Sequence, residues 1–501
     1  MKKIENVTLI SPLDSFLSYG LRLVSSYLQK KQINVKMIFL PSYTEMWQLF
    51  FKQEYSQFSA NALREINEVV SGSDLVGITM MTMDKNRVSA LCRSLKKINK
   101  KIILGGIHPT IFPEDALELA DIVNIGEGFE SVVELCENPE NKLIENIWFK
   151  ENGQILKNKV RPAINNIDEL PFPDFNFRNH YILSKGHILK MDDPIQQKMM
   201  GVIYHQFATL GCPFSCTYCV NDVYKELSSN YQRFRPHSVD YIIAEIKQGL
   251  SVFPKIQYVN FPDDGFIAMS EDEIAGFAEK YKKEIGLPFS IMGIIPDFVT
   301  QRKIDLLYGA GLKRIRMGIQ SFHKPTLELY KRSRNTEKVF EVNGIFQAKK
   351  GMVFPYYDII MDNPFVEDEK ATLETIQNLL KLKGKYTLFL YSLRLYPGTE
   401  LYYKGQEAKF QSRLYEDSYL DFNNYLLNYI LTVIQATGNR FFAEILLFFY
   451  RSFGNLRVPK VFFSINKILF MIRCGFEHIR KKDISGLPVF VLRFIGFKKK
   501  K

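Results

Sequence analysis

The sequence predicts an α/β protein made of a doubly wound parallel sheet, a partial (β/α)6 barrel and a helical carboxyl-terminal region. Short apolar runs alternate with helical patterns in residues 1–145, and six further strand candidates alternate with helical patterns in residues 201–405. Such alternation is typical of parallel sheets covered by helices. The length of 501 residues also exceeds what one hydrophobic core usually supports.

Residues 1–145 are predicted to form the first unit. Ligands of such sheets bind beyond the carboxyl ends of the strands, so the turns after the strands are the candidate binding site. The strand candidates are Val7–Ile10, Val35–Leu40, Leu75–Thr79, Ile102–Leu104 and Ile122–Ile125, and the helical patterns are about Phe16–Lys31, Asn61–Val70 and Val88–Ile98.

Several of these turns contain glycine. Thr79 ends one strand, Gly105 and Gly106 follow the next, and Gly126 follows a third. Glycine at a strand end lets a ligand approach the backbone closely. His108 lies in the Gly105 turn, where a histidine is more often a structural group than a metal ligand. The absence of a G-x-G-x-x-G motif disfavours a dinucleotide site.

Residues 146–200 are predicted to be an ordered connector. The segment 146–156 has the pattern of a hairpin with Asn152-Gly153 as its tight turn. Pro171 and Pro173 then prevent regular structure.

Residues 201–405 are predicted to form the partial barrel, with its reactive face at the carboxyl ends of the strands. Its strand candidates are Tyr204–Leu210, Ile256–Phe261, Phe289–Ile294, Leu312–Ile319, Phe354–Met361 and Thr387–Leu395.

A cysteine cluster follows the first barrel strand. Cys212, Cys216 and Cys219 have the spacing Cys-x3-Cys-x2-Cys, while the other three cysteines are isolated. Thiolates select iron–sulfur clusters, Zn or Cu(I). Since no fourth ligand is evident, the pattern favours a four-iron cluster with one open iron over a structural zinc loop or a disulfide pair.

The cysteine motif, with Tyr218 before its last cysteine, resembles the signature of the radical S-adenosylmethionine (radical SAM) enzymes. The resemblance implies a [4Fe–4S] cluster that binds and reductively cleaves SAM to a 5′-deoxyadenosyl radical. It also places Tyr218, Pro397 and Gly398 near the adenine, and Asp263 and Asp264 near the SAM amino group.

The same resemblance extends to the later strand ends. Gln320 and Ser321 correspond to the segment facing the SAM ribose and methionine. Arg332 or Arg334 could pair with the SAM carboxylate, since guanidinium matches carboxylate bidentately, and Arg334 is taken as the candidate.

The first unit resembles the Rossmann-like domain of cobalamin-binding radical SAM proteins, which implies cobalamin as a cofactor held near Thr79, Gly105, Gly106 and Gly126. The Asp-x-His-x-x-Gly sequence that supplies a cobalt ligand in other cobalamin proteins is missing. An empty, vestigial domain is therefore the alternative.

The formal net charge of +12 is concentrated near the end of the chain. Residues 454–501 hold twelve Lys or Arg against Glu477 and Asp483, which gives +10. A near-neutral body argues against nucleic-acid binding. With no signal-like amino terminus and few cysteines, we expect a cytoplasmic protein.

Residues 406–501 contain apolar helical patterns at 425–431, 441–450 and 461–472, interrupted by basic residues, and Lys498–Lys501 close the chain. Each is shorter than a membrane span. The alternatives are a helical cap on the barrel and peripheral contact with an anionic membrane, which would imply a lipid-like substrate.

These features favour a cobalamin-dependent radical SAM methyltransferase that acts on an unactivated carbon of a small-molecule or lipid-like substrate. Its electron donor would be a protein such as flavodoxin or ferredoxin. The alternatives are an oxidative cyclase or rearrangement enzyme without methyl transfer, and a non-catalytic iron–sulfur or cobalamin sensor. A methylthiotransferase is disfavoured because a second, amino-terminal cysteine cluster is absent.

Overall fold

The amino-terminal half folds around a sheet that follows the predicted alternation. The computed structural model describes residues 3–12, 18–41, 58–410 and 422–481. Within these ranges the strands of the first sheet are β1 Asn6–Ser11, β2 Asn34–Phe39, β3 Leu75–Thr79, β4 Ile102–Gly105, β5 Ile122–Asn124, β6 Ile147–Glu151, β7 Gln154–Leu156, β8 His180–Ser184 and β9 His187–Lys190. The helices along this part are α1 Tyr19–Lys30, α2 Ala60–Val69, α3 Lys85–Lys96, α4 Ile107–Ile111, α5 Pro113–Ala116, α6 Phe129–Glu137 and α7 Asp193–Met200.

The strand order is β7-β6-β5-β4-β3-β1-β2-β8-β9. Because β1 pairs in parallel with both β2 and β3, the chain reverses its direction of winding at β1. Ligands of doubly wound sheets bind at this switch point, beyond the carboxyl ends of the strands. The predicted doubly wound sheet is confirmed.

Two antiparallel hairpins extend the sheet at its edges. At one edge β6 pairs with β7, and Asn152 and Gly153 both have positive φ, as a type I′ turn requires. The hairpin prediction is confirmed. At the other edge β8 pairs in parallel with β2 and antiparallel with β9. The segment 146–200 therefore supplies strands to the sheet as well as linking it to the barrel.

The second sheet is the partial barrel. All its neighbouring strands are parallel: β10 Ile203–His205, β13 Tyr258–Phe261, β14 Phe289–Ile294, β15 Leu312–Gln320, β16 Tyr356–Met361 and β17 Thr387–Ser392. Apolar residues such as Ile315, Met317 and Ile359 pack into the main hydrophobic core. The helices are α8 Val220–Leu227, α9 Val239–Val252, α10 Glu271–Glu284, α11 Gln301–Ala310, α12 Lys324–Leu329, α13 Glu337–Gln347, α14 Asp368–Lys381 and α15 Glu400–Glu407.

The predicted first barrel strand, Tyr204–Leu210, is divided in the structure. Only β10 pairs with the barrel; Thr209–Leu210 (β11) pairs antiparallel with Arg235–Pro236 (β12) instead. The backbone N–H and hydroxyl of Thr209 both donate to the Asp263 carboxylate, at 2.6 and 2.9 Å. This buried anchor directs the chain out of the barrel and into the cysteine motif.

Three carboxyl-terminal helices cover the β17 side of the barrel: α16 Leu426–Thr437, α17 Arg440–Phe453 and α18 Lys460–Arg480. The buried α16 lies against β17, where Thr387 and Leu388 exchange hydrogen bonds with Gln435. The helical character predicted for this region is confirmed. The basic Lys498–Lys501 and the predicted helix start at Phe16 lie outside the described residues. None of the described helices is both long and apolar enough to cross a membrane.

Candidate cofactor site at the cysteine loop

The cysteine loop, residues 211–219, is held by backbone contacts on both sides. Gly211 has φ +80°, and a Cβ there would lie 2.8 Å from the Arg233 carbonyl oxygen. The fully buried Thr217 donates from its hydroxyl to the Leu329 carbonyl (2.7 Å), and its own carbonyl accepts from Leu401 N–H (3.1 Å). Hydrogen bonds to the end of α12 and to the start of α15 therefore fix the position of the loop.

The three thiols share one environment. Cys212 Sγ lies 3.7 Å from the Asp264 carbonyl oxygen, and the Cys219 N–H donates to the Cys216 carbonyl. Burial raises the pKa of Cys219 to about 12, and the neighbouring Cys216 and Cys212 add to this. Burial also raises the pKa of Cys212. Binding of iron must therefore displace thiol protons.

This donor set fits an iron–sulfur cluster better than a single ion. Three soft thiolates on one short loop match a cluster of several irons, which spreads its ligands more widely than a mononuclear site does.

The two candidate arginines occupy different environments. Arg332 Nη1 lies 3.9 Å from Cys216 Sγ, and Nη2 donates to the Gly318 carbonyl at the end of β15 (2.7 Å). Its guanidinium also lies over the Phe214 ring. Arg334 is exposed and pairs with Glu328 at 3.4 Å. The structure thus brings Arg332, and not the sequence candidate Arg334, to the cysteine loop.

Asp263 and Asp264 follow β13 and point different ways. Asp263 is buried and holds the β11 backbone, as described above, and burial raises the pKa of its carboxyl to about 7. Asp264 accepts from the Asn221 side chain (2.9 Å) at the start of α8. Of the pair, Asp264 lies beside the cysteine loop, whereas Asp263 acts as an anchor.

Gln320 and Ser321 also separate. Gln320 has φ +69° at a register shift of β15, and its amide lies beside Gly318, close to Arg332. The buried Ser321 hydroxyl instead lies 3.1 Å from Thr375 Oγ1 on α14. The structure places Gln320 near the cysteine loop and Ser321 under the outer helices.

The predicted adenine residues lie on two segments that are joined by the hydrogen bond from Leu401 N–H to the Thr217 carbonyl. The ring of Tyr218 packs edge-on against Tyr330 at 4.8 Å. Pro397 is buried, and Gly398 has φ +81°. A Cβ at Gly398 would lie 3.1 Å from the Ile111 carbonyl of α4 and 3.5 Å from Val223 of α8. The turn at Gly398 therefore contacts both α8, the helix that follows the cysteine loop, and α4 of the amino-terminal sheet domain.

At the first sheet, the glycine turns are already closely packed by protein atoms. A Cβ at Gly106 (φ +100°) would lie 2.7 Å from Thr79 Oγ1, and one at Gly126 (φ +70°) would lie 2.2 Å from the Tyr231 hydroxyl. That hydroxyl accepts from Glu127 N–H at 2.7 Å. Gly126 thus lets a barrel loop dock here, whereas a Cβ at Gly105 would meet nothing closer than 3.9 Å.

The carboxyl edge of this sheet offers a corrinoid the open Gly105 turn and exposed apolar side chains, and no ligand from His108. Nδ1 of His108 lies 3.1 Å from Thr82 Oγ1, and Nε2 lies 2.8 Å from Asp115 Oδ2. The ring is fully buried, which supports the structural interpretation. Met81 and Met83, directly after β3, expose apolar surface at this edge. Residues 13–17, which follow β1 in the sequence, lie outside the described residues.

A polar row inside the barrel was not predicted. Arg316 Nε donates to Asp358 Oδ1 at 2.7 Å, and Arg316 Nη2 donates to the Tyr391 hydroxyl. Along the strands the polar residues alternate with Ile315, Met317 and Ile359, which pack into the core outside the barrel. The polar side chains therefore face the barrel interior. Burial raises the pKa of Asp358 to about 6, although Arg316 opposes the rise. Alternation within Leu312–Ile319 was the sequence signal for this row.

Two family models match the chain. The Radical SAM superfamily matches residues 207–377, and the B12 binding domain matches residues 7–136. The first match contains the cysteine loop and Arg332, and the second contains the glycine turns of the first sheet. The protein is a radical SAM enzyme. More closely, it belongs to the radical SAM enzymes that carry an amino-terminal B12-binding domain, and its cofactors are a [4Fe–4S] cluster, SAM and cobalamin.

Curated relatives cover about two thirds of the chain. An uncharacterized methyltransferase of Pyrococcus horikoshii is 27% identical over 343 residues, 66% of this chain and 68% of the relative. Bacteriochlorophyllide d C-8(2)-methyltransferase of Chlorobaculum tepidum is 22% identical over 347 residues, 67% of this chain and 69% of the relative.

Solved structures share the fold. The cobalamin-dependent SAM radical enzyme OxsB, with aqua-cobalamin bound, aligns with a TM-score of 0.66 at 15% identity over 99% of this chain and 80% of OxsB. The radical SAM methyltransferase TsrM of Kitasatospora setae, with cobalamin and a [4Fe–4S] cluster bound, aligns with a TM-score of 0.61 at 14% identity over 81% of this chain and 78% of TsrM.

Proposed function

We propose that the protein is a cobalamin-dependent methyltransferase that methylates an unactivated carbon. The observation that carries this proposal is the packing of the turn at Gly398 against both α8, which follows the cysteine loop, and Ile111 of the B12-binding domain. The domain that would hold cobalamin is therefore in direct contact with the element that follows the cysteine loop. The methyltransferase names of two curated relatives also support methyl transfer.

Each residue of the site has a proposed role in holding the cluster or SAM. Cys212, Cys216 and Cys219 would hold the cluster, and Arg332 would hold the SAM carboxylate beside it, since guanidinium binds carboxylate bidentately. Asp264 would face the SAM amino group, and Tyr218 would flank the adenine. The buried Asp263 positions the loop.

When bound, the cluster, SAM and cobalamin supply the electron-transfer and methyl-transfer chemistry. In balance, one substrate C–H, two SAM and two electrons yield a C–CH3 bond, 5′-deoxyadenosine, methionine and S-adenosylhomocysteine. The substrate hydrogen atom ends in 5′-deoxyadenosine, and a one-electron protein donor of the flavodoxin or ferredoxin class would provide the electrons.

The polar row of Arg316, Asp358 and Tyr391 would orient a polar group of a small-molecule or lipid-like substrate inside the barrel. None of the six cysteines forms a disulfide, and this, like an oxygen-sensitive cluster, suits a reducing cytoplasm.

A Cys216→Ala variant tests the cluster assignment. It removes one of three iron ligands, so we expect loss of reductive SAM cleavage, measured as 5′-deoxyadenosine, while cobalamin binding is retained because the first sheet is intact. Cys136→Ala, at an isolated buried thiol in α6, is the matched control. It should keep both SAM cleavage and cobalamin binding. Continued 5′-deoxyadenosine formation by Cys216→Ala would refute the assignment.

Metal and cofactor analysis of protein purified without oxygen tests methyl transfer itself. About four irons with stoichiometric cobalamin would support the proposal. Transfer of a labelled methyl group from SAM to bound cobalamin would then be expected. The same iron without cobalamin binding would contradict methyl transfer and favour cyclisation or rearrangement.

A further inference from the structure

Large apolar side chains are concentrated on the outside of α17 and α18. Of 25 exposed large apolar residues in the described chain, fifteen lie on these two helices and the turn between them, here called the α17–α18 surface. Phe441, Phe448, Phe453 and Phe476 are between 63% and 71% exposed. Scattered surface apolar residues need no explanation, but a concentration of this kind marks an interaction site.

The outward face of α18 is apolar, which is not expected for the solvent-facing side of a surface helix, although Phe463 and Phe470 also pack inward. Its inward face carries Asn466, which donates to Thr432 Oγ1 (2.9 Å), and His478, whose Nε2 lies 2.6 Å from the Tyr356 hydroxyl. Its outward face carries apolar residues at helical spacing, among them Ile465, Ile468 and Ile472. A helix that only covered the barrel would bury its apolar stripe. The stripe therefore faces a partner outside the molecule.

The charge around the apolar stripe indicates an anionic partner. Residues 440–481 contain eight Lys or Arg against Glu444 and Glu477, a net +6. Arg451, Lys460 and Lys467 are exposed, and none has a carboxylate partner among the described residues. Phe- and Ile-rich faces bordered by Lys and Arg are typical of helices that lie in a lipid interface, whereas protein interfaces are depleted of lysine.

The turn between the two helices lies near the reactive end of the barrel. Asp362, directly after β16, accepts from Asn423 N–H (3.1 Å) and the Asn428 amide (2.9 Å). The next residues, Asn424 and Leu426, exchange backbone and side-chain hydrogen bonds with Val458 and Leu456 of the turn. A surface bound at this turn would therefore adjoin the carboxyl end of the barrel strands.

We propose that the α17–α18 surface docks the enzyme on an anionic lipid bilayer, with the apolar residues inserted at the headgroup level and the basic residues against lipid phosphates. The docking goes beyond the proposed methyl transfer and does not depend on it. It holds the carboxyl end of the barrel at the membrane, where an apolar substrate would be dissolved.

Sedimentation of the full-length, cofactor-loaded protein with vesicles tests the docking. We expect binding to phosphatidylcholine vesicles that contain phosphatidylglycerol, much weaker binding to phosphatidylcholine alone, and a loss of binding as salt is raised. A triple variant, Phe448→Ser, Phe453→Ser and Phe476→Ser, should lower the vesicle affinity about tenfold or more. Lys460→Glu with Lys467→Glu should weaken binding only to the anionic vesicles.

The control variant is Leu143→Ser with Leu189→Ser, at exposed apolar sites in the first half of the chain, and it should bind as the unmodified protein does. Several outcomes would overturn the proposal: no binding to either vesicle, equal binding by the triple variant, or binding carried entirely by residues 482–501, shown by their deletion. Self-association that the triple variant abolishes would identify a second copy as the occupant instead. None of these readouts uses SAM cleavage, so failure of the docking is distinguishable from failure of the proposed function.

Discussion

At the scale of single residues, the structure separates side chains that the sequence presents as equivalent. Arg332 and Arg334 are two positions apart, yet only Arg332 reaches Cys216 and Gly318, because the chain turns sharply after α12 and Lys331 has φ +51°. Asp263 and Asp264 are adjacent, yet one anchors a buried backbone and the other lies beside the thiols. Neighbouring residues of like chemistry need coordinates to be told apart.

Arg332→Lys should weaken SAM binding about tenfold to a hundredfold, because an ammonium group cannot pair bidentately with a carboxylate. The KM for SAM in 5′-deoxyadenosine formation should rise more than kcat falls. Arg334→Lys is the matched control and should leave both unchanged, since Arg334 is exposed and, among the described residues, pairs with Glu328. The opposite ranking of the two variants would contradict the placement of Arg332.

At the scale of elements, turns join the two cofactor units. The loop after β5 receives Tyr231 of the barrel at Gly126, and the turn after β17 meets α4 at Gly398. The sequence analysis predicted close backbone approach at Gly126, and it placed Gly398 near the adenine. Both glycines are closely approached, but by other parts of the same chain, and no local sequence pattern could reveal those partners.

Gly398→Ala should destabilise the protein by about 1–2 kcal/mol, because alanine at φ +81° is strained and its Cβ would press on the Ile111 carbonyl. Thermal unfolding measures the loss, and limited proteolysis near Ile111 should show a looser junction. Gly309→Ala, in α11 with open space around it, should be neutral or stabilising. Equal effects of the two substitutions would show that the turn does not connect the units.

At the scale of the whole molecule, the sequence predicted the architecture better than the contacts between its parts. Buried-type apolar runs and cysteine spacing are local patterns, so the sheet, the barrel and the cysteine loop could be predicted. The division of the predicted strand Tyr204–Leu210 could not be predicted, because Thr209 is held by a hydrogen bond to Asp263, which is 54 positions away in the sequence. The connector also could not be seen to join the first sheet at β8 and β9, since strand pairing there depends on β2.

The junction between the two sheets contains a buried acid that makes stability depend on pH. Glu245 on α9 accepts from the Tyr19 hydroxyl of α1 (2.8 Å) and the Tyr204 hydroxyl of β10 (3.1 Å). Burial raises the pKa of its carboxyl from 4.5 to about 7. The native state therefore holds a proton that the unfolded chain releases near pH 4.5, and stability falls as pH rises from there to about 7.

Glu245→Gln removes this titration. It should therefore reduce the pH-dependent fall in the free energy of unfolding, which is on the order of 3 kcal/mol at most across that window. The unfolding temperature of the native sequence should drop between about pH 5 and about pH 8 by more than that of Glu245→Gln. The exposed Glu279→Gln on α10 should keep the native profile, since its carboxyl has water in both states. Parallel profiles for all three proteins would mean that Glu245 is already ionised at the junction, and that the tyrosine hydroxyls of both sheets stabilise its charge.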